Sequence, residues 1–254
     1  MALQKSELKS VDSVPPVVLV VDDNASVREA ISELLNTVGI VVKLFPSALD
    51  LLKQLEDFNY GEIKDANCLI LDVRMPGLGG LELQHRLRAA HFNVPIIFLS
   101  GYGDVRMTAE AMKAGALDFL SKPFRSQEML DTVAAAIEYD HRRREIDRRQ
   151  KDLLDRYSSL TLRERTILAF VARGLMNKQI AWELSLSEIT IKVNRSHLMQ
   201  KMKAKSVAEL VRMEAHLKDV TSTQENYAVS RKGRLVINNF QLPIKTNLDI
   251  REPE

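Results

Sequence analysis

The amino-acid sequence predicts two domains: a doubly wound α/β domain made of five βα units, and after it a smaller all-α domain. In the first part of the chain, short runs that are apolar throughout alternate with helical patterns, as parallel strands covered on both faces require. Four short helical patterns then follow without a strand between them. A chain of 254 residues is long enough for two domains.

The first domain is predicted from five strand patterns and the helices between them. Glycines mark several of the boundaries; Gly39 ends the first helix and Gly115 the fourth. The predicted strands are 17–21, 40–45, 67–71, 94–99 and 117–120. The predicted helices are 24–38, 47–55, 80–90, 104–114 and a fifth that begins at 127.

The fifth helix has no clear end, because residues 139–157 are dense in charged side chains and contain neither glycine nor proline. We therefore expect this charged linker to stay helical. Apolar residues recur in it every seven positions, at Tyr139, Ile146, Leu153 and Leu160. A coiled-coil seam has two apolar positions per heptad, and this segment has one. A dimerising helix and a solvated helix are therefore both possible interpretations. The basic run 141–144 is interpreted as a solvated face.

The second domain is predicted to contain a helix-turn-helix. Its helices are expected at 162–173, 177–184, 188–203 and 206–217. Only residues 185–187 separate the second helix from the third, so the two must cross sharply, and the small Ala181 permits that contact. Residues 158–218 carry 11 Lys and Arg against 5 Asp and Glu, which is the charge expected for binding to a phosphate backbone.

Composition agrees with this division of the chain. Residues 1–138 carry 13 Lys and Arg against 19 Asp and Glu, whereas residues 139–254 carry 23 against 15. Cys68 is the single cysteine, which excludes an intramolecular disulfide and a thiolate metal cluster. No segment has the length and apolarity of a membrane span or a secretory signal, so a cytoplasmic protein is expected.

The expected domain boundaries follow from these patterns. They are a polar leader at 1–16, an α/β domain at 17–138, the charged linker at 139–157, the helix-turn-helix domain at 158–218 and a polar tail at 219–254. Within the tail, residues 234–240 have the composition of a short strand.

Five polar side chains stand where predicted strands end. They are Asp22, Asp23, Asp72, Ser100 and Lys122. In an open doubly wound sheet, the carboxyl ends of the strands form the crevice in which ligands bind. We therefore expect three acids and one base to share one site.

The motifs around these residues resemble those of two-component response regulators. Those similar to a receiver domain are Asp22-Asp23, residues 69–77, Ser100-Gly101 and residues 118–124. Those similar to a LuxR-type output domain are residues 160–165, Gly174, residues 177–181 and residues 190–193. Together they identify the chain as a member of the NarL/FixJ family. The residues of these motifs are most similar to those of FixJ-like regulators.

The resemblance implies a flavodoxin-like (βα)5 receiver in which Asp72 accepts a phosphoryl group as an acyl phosphate. Lys122 would stabilise charge on the transferred group, and Ser100 would donate a hydrogen bond to it. Phe119 occupies the position of the family's switch aromatic, although an aromatic among apolar residues is also a common core residue. The Lys122-Pro123 peptide is expected to be cis.

The resemblance also implies Mg²⁺ at the acidic crevice. Asp23 and Asp72 would bind the ion directly, Asp22 largely through water, and Arg74 through its backbone carbonyl. The residue chemistry agrees, because three adjacent carboxylates are costly without a cation and Mg²⁺ prefers oxygen ligands. The implied partners are a sensor histidine kinase, promoter DNA and a second copy of the chain after phosphorylation, with RNA polymerase as a further candidate and no membrane.

In the second domain, residues 188–203 form the predicted recognition helix. Lys192, Val193 and Ser196 match the family's base-contacting positions, and four basic side chains are predicted to contact phosphates: Arg195, His197, Lys178 and Lys201. A solvated basic face is the alternative interpretation of all four. Two positions depart from the family pattern, since Asn194 replaces a usual histidine and Ser185 a usual glycine.

Two functions remain open from the sequence. The first is a DNA-binding transcriptional regulator controlled by phosphorylation of Asp72. The second is a receiver that serves as a phosphate sink or protein-interaction module and does not bind DNA. An enzyme with a small-molecule substrate is less consistent with the sequence, because the one predicted nucleophile has no substrate pocket beside it in the motifs.

Overall fold

The computed structural model describes residues 14–56, 63, 65–101 and 105–232, without the side chains of 105, 106, 108 and 220–232. The chain divides into two compact units, residues 1–148 and 149–254. Within the described residues no helix is both long enough and apolar enough to cross a membrane. The finer domain boundaries stay predictions, and most of the polar leader lies outside the described residues.

The first unit contains a parallel sheet of five strands. They are β1 (Val17–Val21), β2 (Val41–Phe45), β3 (Cys68–Asp72), β4 (Ile96–Ser100) and β5 (Asp118–Ser121). Their order across the sheet is β2-β1-β3-β4-β5, and every neighbouring pair is parallel. The predicted doubly wound α/β fold is confirmed. The order changes direction between β1 and β3, which is the point where such sheets bind ligands.

The central strands are buried along their whole length because the sheet is covered on both faces. β3 and β4 are buried at every position. In β1, Leu19 and Val21 enter one core, while Val18 and Val20 enter the core on the opposite face. A strand with two buried faces has no polar side, which explains the continuous apolar runs in the sequence.

Within the described residues, the following five helices connect and follow these strands. They are α1 (Ala25–Asn36), α2 (Ala48–Glu56), α3 (Gly80–Ala89), α4 (Val105–Lys113) and α5 (Ser126–Ser158). The side chain of Asn24 caps α1 by accepting the backbone N–H groups of Ser26 and Val27. α5 continues without a break through residues 139–157, so the prediction of a helical linker is confirmed.

The second unit is helical and contains the predicted helix-turn-helix. Its helices are α6 (Leu162–Ala172), α7 (Asn177–Glu183), α8 (Glu188–Met202) and α9 (Val207–Lys232). Ala181 is buried where α7 meets its neighbours, as expected. Ser185, in the turn before α8, has a φ of 52°, the left-handed conformation for which glycine is usual. The turn therefore contains a left-handed residue, which is a serine in this chain.

The last helix is longer than predicted. The sequence predicts that this helix ends at residue 217, whereas α9 continues to Lys232. Polar composition suggested a tail from residue 219, but residues 218–232 contain neither glycine nor proline, and the next residue in the sequence is Gly233. The short strand predicted at 234–240 lies outside the described residues.

Candidate functional site

The predicted site residues of the first unit meet at the carboxyl edge of the sheet. Asp22 directly follows β1, Asp72 and Ser100 end β3 and β4, and Lys122 directly follows β5. Asp22, Asp72 and Ser100 are buried, whereas Asp23 is exposed. Neighbouring parallel strands end at the same edge, so residues distant in the sequence become adjacent.

The ammonium group of Lys122 joins the two buried carboxylates. Its Nζ donates to Oδ2 of Asp22 at 2.6 Å and to Oδ2 of Asp72 at 2.7 Å. The other oxygen of each carboxylate accepts a backbone N–H two residues further along, from Asn24 to Asp22 at 2.9 Å and from Arg74 to Asp72 at 3.1 Å. Each carboxylate is thus held by its own backbone donor and by the lysine that the two share.

Burial and hydrogen bonding act in opposite directions on these charges. Burial raises the pKa of the Asp72 carboxyl and the charge of Asp22 adds to the rise, although hydrogen bonds from Lys122 and Arg74 oppose it. For Lys122, burial alone would lower the pKa, but its hydrogen bonds to Asp22 and Asp72 raise it above the usual value. The site therefore holds more negative charge than one lysine neutralises.

The acidic residues fit a divalent cation. Carboxylate oxygens of Asp22, Asp23 and Asp72 lie within 4.8 Å of one another. Oxygen donors that converge in this way, with an excess of negative charge, are the ligand type that Mg²⁺ prefers. The carbonyl of Arg74 stays a predicted fourth ligand.

The turn after β3 brings the start of α3 against Asp72. The N–H of Gly80 donates to the carbonyl of Val73 at 3.1 Å. A Cβ atom at Gly80 would lie 2.2 Å from the carbonyl oxygen of Asp72, so any side chain there would displace the end of β3. In the sequence, Gly79-Gly80 indicates a turn only; the close approach to Asp72 is visible in the structure.

The remaining residues of the site lie on the last two strands. Lys122 donates its backbone N–H to the carbonyl of Ser100 at 2.7 Å, which ties the two strand ends together. The Lys122-Pro123 peptide is cis, as predicted. Phe119 on β5 is 42% exposed, so its interpretation as a core residue is wrong. Its role as a switch residue stays a prediction.

A second buried acid, which the sequence analysis does not identify, lies near the amino end of β3. Asp140 of α5 accepts hydrogen bonds from Asn67 at 3.1 Å, Arg143 at 2.6 Å and Arg144 at 2.5 Å. Arg144 also donates to the carbonyl of Ala66 at 2.6 Å. The interpretation of the basic run 141–144 as a solvated face is therefore wrong for Arg143, which pairs with Asp140 and Asp147 within α5. It is also wrong for Arg144, which fastens α5 to the residue pair before β3.

A sequence signal for this contact does exist. Met129, Val133 and Ala136 form the buried stripe of α5 at helical spacing, and Asp140 continues that stripe four residues later. An acid in register with a buried apolar stripe indicates a partner inside the fold.

In the second unit, α8 exposes the predicted base-contacting residues. Ile191, Leu198 and Met202 form its buried side. Lys192, Val193 and Ser196 are exposed on the opposite side, and His197 is exposed beside them. Lys178 of α7 is exposed as well. The geometry is compatible with the predicted DNA contacts, which stay predictions.

Two residues with predicted phosphate contacts, Arg195 and Lys201, also make contacts within the second unit. The guanidinium of Arg195 donates to the side chain of Asn177 at the start of α7. The ammonium of Lys201 lies 2.7 Å from Oε2 of Glu164, which is buried and forms a capping box with Thr161 at the start of α6. Because its ammonium is engaged by a buried carboxylate, Lys201 joins α8 to α6. The phosphate contacts of Arg195 and Lys201 stay predictions.

The charge of Glu164 is stabilised by these partners. Burial would raise its pKa, but hydrogen bonds from Lys201 and from the backbone and side chain of Thr161 outweigh burial and lower the pKa below its usual value. This buried acid is therefore balanced, in contrast to Asp72.

The fold and the site define a two-domain signalling protein with an acidic, lysine-bridged crevice in one domain and a helix-turn-helix in the other. Residues 18–134 match the response regulator receiver domain, and residues 158–214 match the family described as bacterial regulatory proteins, luxR family. The chain belongs to the response regulators with a LuxR-type output domain, which are transcriptional regulators and not enzymes.

Individual relatives support this assignment. Nodulation protein W of Bradyrhizobium diazoefficiens is 47% identical over 202 residues, which cover 79% of this chain and 86% of that protein. Transcriptional regulatory protein FixJ of the same organism is 39% identical over 196 residues, covering 77% of this chain and 93% of that one. The solved structure of response regulator StyR has a TM-score of 0.72 and 42% identity, covering 80% of this chain and all of that chain. The family identified from the sequence motifs is confirmed.

Proposed function

We propose that a sensor histidine kinase phosphorylates Asp72 in a Mg²⁺-dependent reaction, and that the phosphorylated chain dimerises and binds promoter DNA. One observation carries the proposal: the Lys122 ammonium lies between the buried carboxylates of Asp22 and Asp72, at 2.6 and 2.7 Å. A carboxylate nucleophile beside a fixed positive charge is the arrangement that phosphoryl transfer uses.

In the proposed reaction, an oxygen of the Asp72 carboxylate forms a bond to phosphorus while the bond between phosphorus and the donor nitrogen breaks. The electron pair of the broken bond leaves with that nitrogen, and Asp72 carries an acyl phosphate. Lys122 provides positive charge for the oxygens of the transferred group. When bound by Asp22, Asp23 and Asp72, Mg²⁺ supplies further charge neutralisation.

The new group changes what its neighbours bind. A phosphoryl group brings about two negative charges and three acceptor oxygens. Lys122 exchanges carboxylate contacts for phosphoryl contacts, and Ser100 donates its hydroxyl to a phosphoryl oxygen. Phe119, exposed on β5, then turns inward, and the face formed by α4 and β5 pairs with a second receiver. Dimerisation presents two output domains to paired half-sites, which raises their effective concentration on DNA.

The DNA contacts are assigned to the exposed side of α8. Lys192, Val193 and Ser196 face the major groove, and the phosphate contacts are assigned to Arg195, His197, Lys178 and Lys201. Residues 158–218 carry 11 Lys and Arg against 5 Asp and Glu, which supports binding to a polyanion. RNA polymerase is the further partner at a regulated promoter.

Phosphorylation is tested by labelling the full-length chain with a small-molecule phosphodonor. We expect wild type to be labelled in the presence of Mg²⁺ and not with a chelator, and Asp72→Asn to remain unlabelled. Asp131→Asn, which changes an exposed acid of the same unit, should be labelled like wild type. Labelling of Asp72→Asn at the wild-type level would place the phosphoryl group elsewhere.

DNA binding is tested by gel shift of the phosphorylated chain across a salt series. We expect affinity to fall steeply as salt rises, and specific binding to be weaker for Asp72→Asn than for phosphorylated wild type. If Asp72→Asn bound the operator as tightly, the proposed control by phosphorylation would be wrong. If no salt-dependent affinity were found, a phosphate sink or protein-interaction module would be the better description.

A further inference from the structure

The outward face of α8 carries two exposed aliphatic side chains. Ile189 is 73% exposed and Val193 is 49% exposed, and they lie one helical turn apart. Lys192 and Ser196 form a second, polar column at the same spacing beside them. The buried side, formed by Ile191, Leu198 and Met202, lies on the opposite side of the helix. Recognition by this face therefore combines an apolar column with a polar one.

An exposed isoleucine by itself is ordinary, because much of every protein surface is apolar. The position of Ile189 is what distinguishes it. Other exposed apolar side chains in the described part of this unit, such as Leu162, Trp182 and Val207, belong to α6, α7 and α9. Ile189 instead shares a face with Lys192 and Val193, near the start of α8. In a helix-turn-helix, residues at the start of the second helix approach the base edges.

The chemistry of the major groove identifies a ligand for an aliphatic side chain at this place. Most groups on the base edges are hydrogen-bond donors or acceptors, which an aliphatic group cannot satisfy, whereas the 5-methyl group of thymine is apolar. Burying that methyl group against isoleucine or valine removes apolar surface from water on both sides. Lys192 and Ser196 remain available for the acceptors and donors of the neighbouring bases.

We propose that Ile189 and Val193 read thymine 5-methyl groups in the major groove, so that Ile189 is a specificity-determining residue of the recognition helix. This inference rests on the proposed DNA-binding function and deepens it. Val193 occupies a position at which a base contact is already predicted from the family, whereas Ile189 is assigned from its exposure and its place on the helix. Each half-site is then expected to contain thymines at fixed positions.

The test begins with duplexes selected from a random pool by the phosphorylated full-length chain. Each thymine of a selected site is then replaced by deoxyuridine, which lacks only the 5-methyl group. For wild type, we expect each replacement at a contacted thymine to weaken binding about four-fold, the effect of burying one methyl-sized group. Ile189→Ala should lose this methyl dependence at the thymine that Ile189 contacts and keep it at the thymine that Val193 contacts. Val193→Ala should show the converse.

Matched variants separate methyl recognition from general effects. Leu162→Ala removes an aliphatic side chain that is 79% exposed on α6, and it should leave affinity and methyl dependence unchanged. Ile189→Val keeps a branched apolar group and should retain part of the dependence. Ile189 is exposed, so its replacement should not disturb folding, which the far-ultraviolet circular dichroism of the variants checks.

Several results would overturn the inference. If deoxyuridine weakens binding at no position, or if Ile189→Ala keeps the full methyl dependence of wild type, Ile189 does not read thymine. A loss of dimerisation in Ile189→Ala, with methyl dependence intact, would instead assign the side chain to a contact with a second copy. If salt-dependent DNA binding persists in these cases, the proposed function stands. Failure to select any duplex would overturn both.

Discussion

The two ends of β3 each lie beside a buried carboxylate with cationic neighbours, yet their charge balance is opposite. At the carboxyl end, Asp22 and Asp72 share one lysine, and the carboxylate of Asp23 lies within 4.8 Å of theirs. At the amino end, the buried carboxylate of Asp140 receives donors from Arg143, Arg144 and Asn67, and the exposed acids Asp147 and Asp65 pair with the same two arginines. One lysine serves two buried carboxylates at the first site, whereas two arginines serve one buried carboxylate at the second.

This difference separates a reactive site from a structural one. A buried carboxylate whose oxygens are all satisfied by cations holds helices and strands together, and it has little capacity for another ligand. A cluster with uncompensated negative charge can take up a cation and, through it, a phosphoryl group. Buried charge alone therefore does not identify the functional end of the strand; the charge balance does.

The second unit provides another balanced acid. Glu164 is buried like Asp72, but hydrogen bonds from Lys201 and Thr161 outweigh burial and lower its pKa, whereas burial prevails at Asp72 and raises its pKa. We therefore expect Glu164 to have a structural role. Removing its charge should lower the free energy of unfolding.

The largest expected effect is at the balanced end of β3. Asp140→Asn removes the one buried carboxylate that Arg143 and Arg144 share, and breaking a buried ion pair in this way costs about 3–5 kcal/mol. The measurement is hydrogen exchange, followed by mass spectrometry, of peptides that cover β3 and α5 in the full-length chain.

Asp147→Asn is the matched control for that variant. Asp147 is an acid on the same helix and pairs with Arg143 at 3.4 Å, but its side chain is 61% exposed. Its replacement should change stability by less than about 0.5 kcal/mol. Equal effects of the two variants would show that burial of Asp140 contributes nothing, and the comparison between the ends of β3 would fail.

A smaller effect is expected for Glu164→Gln, which removes the charge paired with Lys201. We expect a loss of about 1–3 kcal/mol at neutral pH, the usual range for a hydrogen bond to a charged group. Because the folded pKa of Glu164 is lowered, its contribution is fully present above the ordinary value of 4.5 and is lost as pH falls through the folded pKa.

Urea unfolding of wild type and Glu164→Gln at several pH values measures this contribution. The difference between the two proteins should shrink as pH falls below 4.5. Glu183→Gln, which changes an exposed acid of α7, should follow wild type throughout. A difference that grew towards acid pH would mean that the pKa of Glu164 is raised, and that Glu164 resembles Asp72 after all.

The smallest effect is expected from Mg²⁺ at the unbalanced end of β3. At about five times its dissociation constant, the ion should stabilise the first unit by about 1 kcal/mol, because it binds only the folded site. The effect should vanish in Asp23→Ala and persist in Asp131→Asn. Thermal unfolding with and without Mg²⁺ measures it, and equal stabilisation of wild type and Asp23→Ala would place the ion elsewhere.

Much of the fold and of the receiver site follows from the sequence. Strands covered on both faces are apolar up to their carboxyl ends, so β1 and all but the last residue of β3 and β4 are recognisable as uninterrupted runs. Carboxyl ends of parallel strands share one edge, so Asp22, Asp72 and Lys122 are expected together although Asp72 and Lys122 are 50 residues apart. The missing glycines and prolines of residues 139–157 likewise predict a continuous helix.

Only the tertiary structure shows which group each buried or half-buried charged side chain pairs with. The sequence places Asp140 and Lys201 on helices, but Asp140 meets Asn67 across 73 residues and Lys201 meets Glu164 across 37. Helical periodicity assigns a residue to a face of its own helix. Its partner depends on which other element packs against that face and at which position along the helix axis. For the same reason the sequence identified Asp72 as the acid at the end of β3, and only packing showed that the Lys122 ammonium bonds directly to both Asp22 and Asp72.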